Sequence, residues 1–581
     1  MHNLMAYLFF FATAAANGAE RQYIWPEDLM PDPSTNQIAA MTDVSRAKGF
    51  VPGAWRRPYI EWDPEPDDGL RSDACIILIS GGGYQNQCDV GLVKEWRKRF
   101  AKEGVRTVNF VHRTPRPEGK AFYMSAWQDG QRAVRIVRSE AAKRGFDPEK
   151  IGVVSMSAGS HLAALLAASS QTPAYVPVDR LDEEVPCHIN FACAFAPAYG
   201  MTDGLGEANA NGGNPPAILD SCFKFDAKSA PMCLLHGGKD KYSPITSTMI
   251  YRRLREKGVP AEVHLYPDRG HGAHGLDRAV EFMRQMGFLG PLGAEEKLMD
   301  RFADDSARAS CEKIPLWPSK DNMPDIQTNQ CTPYLEWHIP KELKTKAVQI
   351  IWSGGSYRGN NPDGFEVAPA RRYLNEKGMT VVTVKYRTPR PAKPLAKHRT
   401  AWEDAQRAIR MVRAGAKERG LDPERIGVMG SSAGGHLALL CATSSSKDAY
   451  AEDSYEPVDQ IDIYPASVAW AVCIYPAYSL TDGLESKNVT GGNADWAVPA
   501  PEFAFDKSTP PMLFIHGDAD GWSSMASVKA WEKLRRMGIQ GEVHTLAGRT
   551  HCFQKEASPG TGSYTWLDRI WEFMSAKGFN R

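Results

Sequence analysis

Two serines occupy the same short context at two places in the chain. Ser157 lies in Ser155-Met156-Ser157-Ala158-Gly159, and Ser432 lies in Gly430-Ser431-Ser432-Ala433-Gly434. Each follows a short apolar run of strand type and precedes an alanine- and leucine-rich helical stretch, which is the setting of a G-x-S-x-G nucleophile elbow. A serine at so sharp a turn takes a strained backbone conformation, and small neighbours avoid collisions there. The first copy departs from the pattern, with Ser155 where the first glycine belongs. A serine hydroxyl attacks a carbonyl only when a base removes its proton, and that base needs a carboxylate to fix its tautomer and balance its charge.

On a strand-turn-helix scaffold of this kind the acid follows the serine and the histidine follows the acid. The acids expected are Asp240 and Asp520, each just past an apolar run ending in His-Gly (His236-Gly237, His516-Gly517). Asp518 is a local rival, but its counterpart is Gly238. Asp203 and Asp482 match each other, yet they precede the expected strand and suit a turn or helix cap. The bases expected are His271 and His551, on loops after the last strand of each copy, with unpaired His274 as a fallback. The other paired histidines, His161 and His436, His236 and His516, and His264 and His544, are read as satisfying local hydrogen bonds.

An oxyanion intermediate needs preorganised N–H donors. One set is the amides after the nucleophiles, Ala158 and Ala433. The other is the loop Ser80-Gly81-Gly82-Gly83-Tyr84, repeated as Ser353-Gly354-Gly355-Ser356-Tyr357, with Gly82 and Gly83, or Gly355 and Ser356, as the expected donors. No C-x-x-C or H-E-x-x-H arrangement occurs, so local sequence gives a zinc site no support. No cofactor is expected.

The elements that must position these residues are written twice. Trp25-Pro26 recurs as Trp317-Pro318, Thr35-Asn36-Gln37 as Thr328-Asn329-Gln330, and Arg113-Thr114-Pro115-Arg116-Pro117 as Arg387-Thr388-Pro389-Arg390-Pro391. Pro197-Ala198-Tyr199 recurs as Pro476-Ala477-Tyr478. With 581 residues, the chain divides into two tandem domains. The expected limits are a leader over 1–19, a first domain over 20–289, a linker over 290–313 with a short surface helix within 295–307, and a second domain over 314–581. Copy one carries an insertion over 38–55 without counterpart, and specificity is expected to reside in cap loops over 204–223 and 483–505. In each copy strand-like runs alternate with helical patterns, for example strands at 75–79 and 107–111 and helices at 90–103 and 126–144. That order predicts an α/β domain, a mostly parallel sheet with helices on both faces, and a site at the C-terminal ends of the strands.

Lys plus Arg and Asp plus Glu both number 69, so charge favours no polyanionic partner such as nucleic acid. An apolar run near the N-terminus followed by Ala14-Ala15-Ala16 reads as a cleaved secretory signal, so a secreted or periplasmic location is expected. No later stretch reaches membrane length, and no membrane partner is expected. Of 11 cysteines several lie in apolar runs and read as buried thiols, whereas Cys311 and Cys331 lie in polar sequence where one bridge is possible.

Taken together, the S-G-G-G-Y loop, the R-T-P-R-P stretch, the G-x-S-A-G-G-H-L elbow and the H-G-x-x-D ending resemble the esterase/lipase branch of the α/β-hydrolases. In particular they resemble exported bacterial enzymes of the acetyl xylan and feruloyl esterase kind. The resemblance covers both halves. It implies hydrolysis of carboxylic esters through an acyl-enzyme, with acetyl or hydroxycinnamoyl groups on plant polysaccharide as substrates. The alternatives are a serine peptidase built on the same machinery, or one active domain beside one that only binds or packs.

Overall fold

The computed structural model describes residues 13–14, 20–26, 28–37, 58–66, 69–87, 90–168, 172–204, 218–292, 298–444, 458–481 and 497–581. The insertion at 38–55, Asp482, most of the expected leader over 1–19 and most of both expected cap loops lie outside these residues. The chain divides into two units, residues 1–264 with 268–291, and residues 265–267 with 292–581.

In the first unit the main elements are β1 (Glu20–Tyr23), β2 (Tyr59–Trp62), β3 (Cys75–Ile79), α1 (Val90–Glu103), β4 (Arg106–Val111), α2 (Met124–Ser139), β5 (Ile151–Met156), α3 (Ala158–Ala168), β6 (Phe191–Phe195), β7 (Met232–Gly237), α4 (Ile245–Glu256), β8 (Ala261–Tyr266) and α5 (Leu276–Gln285). β1 and β2 pair antiparallel, and β2 pairs antiparallel with β4. From there β4, β3, β5, β6 and β7 run parallel, in that order. Strands such as Cys-Ile-Ile-Leu-Ile in β3 are buried at every position, as expected where helices cover both faces.

The second unit repeats the plan with β9 (Arg308–Pro315), β10 (Tyr334–Pro340), β11 (Val348–Trp352), α6 (Ala368–Glu376), β12 (Thr380–Lys385), α7 (Arg399–Ala416), β13 (Ile426–Ser431), α8 (Ala433–Thr443), β14 (Trp470–Ile474), β15 (Met512–Gly517), α9 (Met525–Arg536), β16 (Gly541–Leu546) and α10 (Trp566–Lys577). Its strand order is β9, β10, β12, β11, β13, β14, β15, β16, antiparallel at β9–β10 and β10–β12 and parallel beyond.

Three details differ from the sequence reading. The segment taken as a linker to residue 313 contributes β9, an edge strand paired with β10 from Arg308 to Pro315. Only Leu298–Arg301 of the expected surface helix is helical among the described residues. Cys311 and Cys331 are both free, so the possible bridge is not formed; the Cys331 thiol lies 3.5 Å from the Tyr386 carbonyl oxygen.

The repeated motifs meet at a buried charge in each unit. Asp129 accepts from Trp25 Nε1 at 2.7 Å and from Arg113 Nε at 2.9 Å, and Asp404 accepts from Trp317 Nε1 and Arg387 Nε at the same distances. Gln37 and Gln330 donate to the carbonyls of Pro115 and Pro389. The Trp-Pro, Thr-Asn-Gln and Arg-Thr-Pro segments are thus parts of one hydrogen-bonded assembly, in which a buried carboxylate is fully partnered. Among the described residues no helix is long and apolar enough to cross a membrane.

Candidate active site

Each elbow forms where the central strand turns into a helix. Ser157 sits between β5 and α3 with φ 59°, and Ser432 between β13 and α8 with φ 56°. A non-glycine residue there stores about 1–3 kcal/mol of strain, which surrounding bonds must over-determine. Ser157 N donates to Phe195 O at 2.9 Å and Ser432 N to Ile474 O at 3.0 Å, tying each turn to the next strand. The small residues are required by contact. A Cβ on Gly159 would come within 2.6 Å of Ser80 O, and one on Gly434 within 2.5 Å of Trp352 O.

The first elbow position explains the departure in copy one. A Cβ on Gly430 would lie 2.1 Å from Gly434 O, so glycine is needed in the second unit. In the first unit Ser155 Oγ bonds Ser160 Oγ at 3.2 Å and Cys193 O at 3.3 Å, and Ser160 Oγ donates to Phe195 O at 2.8 Å. Ser155 and Ser160 together replace Gly430 and Gly435. The added hydroxyls are satisfied internally.

Around both serines the expected residues come together. His271 Nε2 lies 2.9 Å from Ser157 Oγ and its Nδ1 lies 2.8 Å from Asp240 Oδ2. His551 Nε2 lies 2.8 Å from Ser432 Oγ and its Nδ1 lies 2.7 Å from Asp520 Oδ2. These are hydrogen-bond distances at which each histidine can accept the serine proton while its Nδ1–H donates to the carboxylate. The carboxylate against each histidine is Asp240 or Asp520, not Asp518, and the histidine against Ser157 is His271, not His274. Asp203 follows the short strand Met201–Thr202.

Both acids are buried, and burial alone would raise their pKa. Hydrogen bonds from two histidines apiece reverse this, and hold both carboxyls well below the usual carboxylate range. The second histidines, His236 and His516, were read from sequence as local structure only. His236 Nε2 lies 3.1 Å from Asp240 Oδ2 and 2.9 Å from Tyr242 O, while its Nδ1 meets Ser247 Oγ at 2.9 Å. His516 repeats this with Asp520 at 3.3 Å, Trp522 O at 2.8 Å and Ser527 Oγ at 2.9 Å. Those partners fix the tautomer, with Nε2–H donating to the Tyr242 or Trp522 carbonyl beside the acid and Nδ1 accepting from the serine hydroxyl. The backbone N–H of Tyr242 or Trp522 donates to the other carboxylate oxygen. The shared H-G-x-x-D spacing was the available signal.

The glycine-rich loops press against the two elbow serines. A Cβ on Gly81 would lie 2.9 Å from Ser157 Cβ, and one on Gly354 would lie 2.8 Å from Ser432 Cβ. The next residues turn back sharply: Gly82 and Gly83 have φ 133° and 63°, and Gly355 and Ser356 have φ 113° and 56°. Gly82 O accepts from Gln85 N and Asn86 N, and Gly355 O from Arg358 N and Gly359 N. Tyr84 and Tyr357 then anchor each loop to the elbow helix, through His161 Nδ1 at 2.9 Å and His436 Nδ1 at 2.8 Å. Burial, with Arg116 nearby, pushes His161 down to about 3, so it stays neutral and can accept from the tyrosine hydroxyl. Ala158 and Ala433 open the elbow helices directly after the serines.

A mixed, mostly parallel sheet, a strained serine between its central strand and a helix, and a histidine and buried acid on later loops define the α/β-hydrolase class, present here in two copies. A family profile described as BD-FAE matches residues 65–203 and 335–534, more than half of the chain, and the chain belongs to that family. It is 31% identical over 256 residues to the acetylxylan esterase of Xylanibacter ruminicola, covering 41% of this chain and 48% of that protein. It is 24% identical over 266 residues to endo-1,4-beta-xylanase B of Butyrivibrio fibrisolvens, covering 44% of this chain and 39% of that protein. The chain therefore spans less than half the length of either relative. Among solved structures it is similar to the acetyl ester-xyloside bifunctional hydrolase from Caldicellulosiruptor lactoaceticus, at 25% identity and a TM-score of 0.38, covering 46% of this chain and 97% of that one.

Proposed function

We propose that this chain is an exported carboxylic ester hydrolase with two serine sites, one in each of its two units. Its substrates are acetyl or feruloyl-type esters on plant polysaccharide or oligosaccharide. The observation that carries the reading is the unbroken serine–histidine–aspartate contact in both copies, at 2.9 and 2.8 Å in the first and 2.8 and 2.7 Å in the second. Likeness to an acetylxylan esterase supports the choice of substrate.

In this mechanism His271 takes the proton of Ser157 as its oxygen attacks the ester carbonyl. Asp240 stays ionised and balances the imidazolium that forms. The amides of Ala158, Gly82 and Gly83 stabilise the oxyanion; Ala433, Gly355 and Ser356 serve in the second domain. The histidine returns its proton to the leaving alcohol, and water then releases the acid from the acyl-serine by the same steps in reverse. Ser432, His551 and Asp520 act likewise.

The test is hydrolysis of p-nitrophenyl acetate and of acetylated and feruloylated xylan fragments by wild type, Ser157→Ala, Ser432→Ala and the double variant. The expected result is partial activity in each single variant and none in the double. Undiminished activity in the double variant would overturn the assignment.

A further inference from the structure

Away from the serine contacts, the described residues contain three groups of side chains whose metal-ligating atoms lie within 4.8 Å of one another. Two are explained by their own bonding. Glu262 and His264, beside Cys233, form a 2.9 Å hydrogen bond that Glu542 and His544 repeat at 2.8 Å where the corresponding cysteine is replaced by Leu513. In the group of Cys311, Glu336 and His338, both ring nitrogens of the histidine are engaged, by Arg308 at 3.0 Å and by Thr383 at 2.9 Å.

The third group differs. His398 stands just before α7, His436 lies on α8 one turn after Ser432, and Glu502 comes from the loop after the short strand Val498–Pro499. Glu502 Oε1 is 3.2 Å from His436 Nε2 and 3.8 Å from His398 Nδ1, and the two imidazole rings are 5.3 Å apart. The side chains are 10%, 1% and 8% exposed, in the order Glu502, His436, His398. With metal–ligand bonds of about 2.0–2.1 Å, the ligand atoms of a tetrahedral zinc ion lie about 3.3–3.4 Å apart. The observed 3.2 and 3.8 Å nearly match that spacing. Two imidazoles and one carboxylate are an established zinc donor set, which leaves a fourth position open. His436 also has the outer support that metal-bound histidines need, since its Nδ1 is hydrogen-bonded to Tyr357 OH at 2.8 Å.

The first domain is an internal control. Where the second has His398, His436 and Glu502, it has Tyr123, His161 and Cys222, and a tyrosine hydroxyl held protonated by burial is no substitute ligand.

From this geometry we infer that the second domain binds a zinc-type divalent cation through His398, His436 and Glu502, with water completing its coordination, and that the first domain does not. The site does not rest on the ester-hydrolase reading. Through Tyr357 the ion is mechanically connected to the glycine–serine loop of one domain only.

The experiment uses the full chain, stripped with chelator, incubated with zinc chloride and dialysed, with bound metal counted by mass spectrometry. Cobalt(II) absorption supplies a second readout. One ion per chain is expected in wild type and in Cys311→Ser. His398→Tyr and Glu502→Gln should each lose it, and Tyr357→Phe should weaken binding about tenfold or more. His398→Tyr installs the residue that the first domain carries in the same place, so folding is expected to survive, and a thermal melt verifies this. No ion retained by wild type, or an ion retained equally by His398→Tyr and Glu502→Gln, would overturn the inference.

Discussion

His236 and Asp240 are bonded on the side of the carboxylate that the site histidine also uses: Asp240 Oδ2 receives His271 Nδ1 at 2.8 Å and His236 Nε2 at 3.1 Å. The second domain repeats the relationship with His516 and Asp520. A hydrogen bond to a charged group contributes about 1.5–3 kcal/mol. If that support is felt in the transition state, its loss slows turnover about 10–100-fold. His236→Gln in a Ser432→Ala background should therefore lower kcat by that factor and leave KM nearly unchanged. Steady-state kinetics on p-nitrophenyl acetate checks this, and an altered KM with unchanged kcat would assign His236 to substrate binding instead.

Gly81 and Gly354 leave no room beside Ser157 and Ser432. Gly81→Ala places a methyl group 2.9 Å from Ser157 Cβ, tighter than ordinary contact, so the serine must move off His271. A displacement of about 1 Å from productive geometry costs on the order of 10²-fold in rate. Activity measured in the Ser432→Ala background should fall by that amount, while the melting temperature shifts by only a few degrees.

Ser155 and Ser160 are predicted to be energetically linked. Ser155→Gly alone removes the hydroxyl that meets Ser160 and Cys193 O, at a cost of about 1 kcal/mol. Adding Ser160→Gly recreates the Gly430/Gly435 arrangement of the second domain. A double-mutant cycle by chemical denaturation should show coupling of about 0.5 kcal/mol or more, and strict additivity would count against the pairing.

Glu403 supplies a pH signature. Burial, opposed by Arg387, raises its pKa to about 8, well above its value of about 4.3 in an unfolded chain. A raised folded-state pKa contributes stability that is full below the unfolded value and is lost as pH rises through about 8. The first domain has Gln128 in this position, accepting from Arg113 at 3.0 Å. Glu403→Gln should therefore flatten the decline in second-domain stability between about pH 5 and pH 8, followed by thermal denaturation in a pH series.

How much of this was legible in the sequence depended on locality. Ser157, Asp240 and His271 each lie in a motif of a few residues, and duplication aligned them with Ser432, Asp520 and His551, which ruled against Asp518 and His274. The edge strand β9 was invisible because none of its residues is buried and Arg308, Glu312 and Lys313 break any apolar run; only backbone pairing with β10 defines it. The contacts of His236 and His161 were missed because a histidine at a strand end or helix start looks like ordinary local bonding until its partner is placed. His398 and Glu502 are 104 positions apart, so no spacing rule could join them to His436.

The bond between Trp25 and Asp129 limits how far the N-terminus can be trimmed without loss to the first domain. Trp25 is 1% exposed and donates to a carboxylate buried with Arg113. A peptidase that removed the chain through Tyr23 would spare this indole. One that cut beyond Trp25 would empty an aromatic site, at about 3–5 kcal/mol, and strip a donor from an interior charge. Trimming that stops before Glu20 keeps both β1, which pairs with β2, and this indole–carboxylate bond.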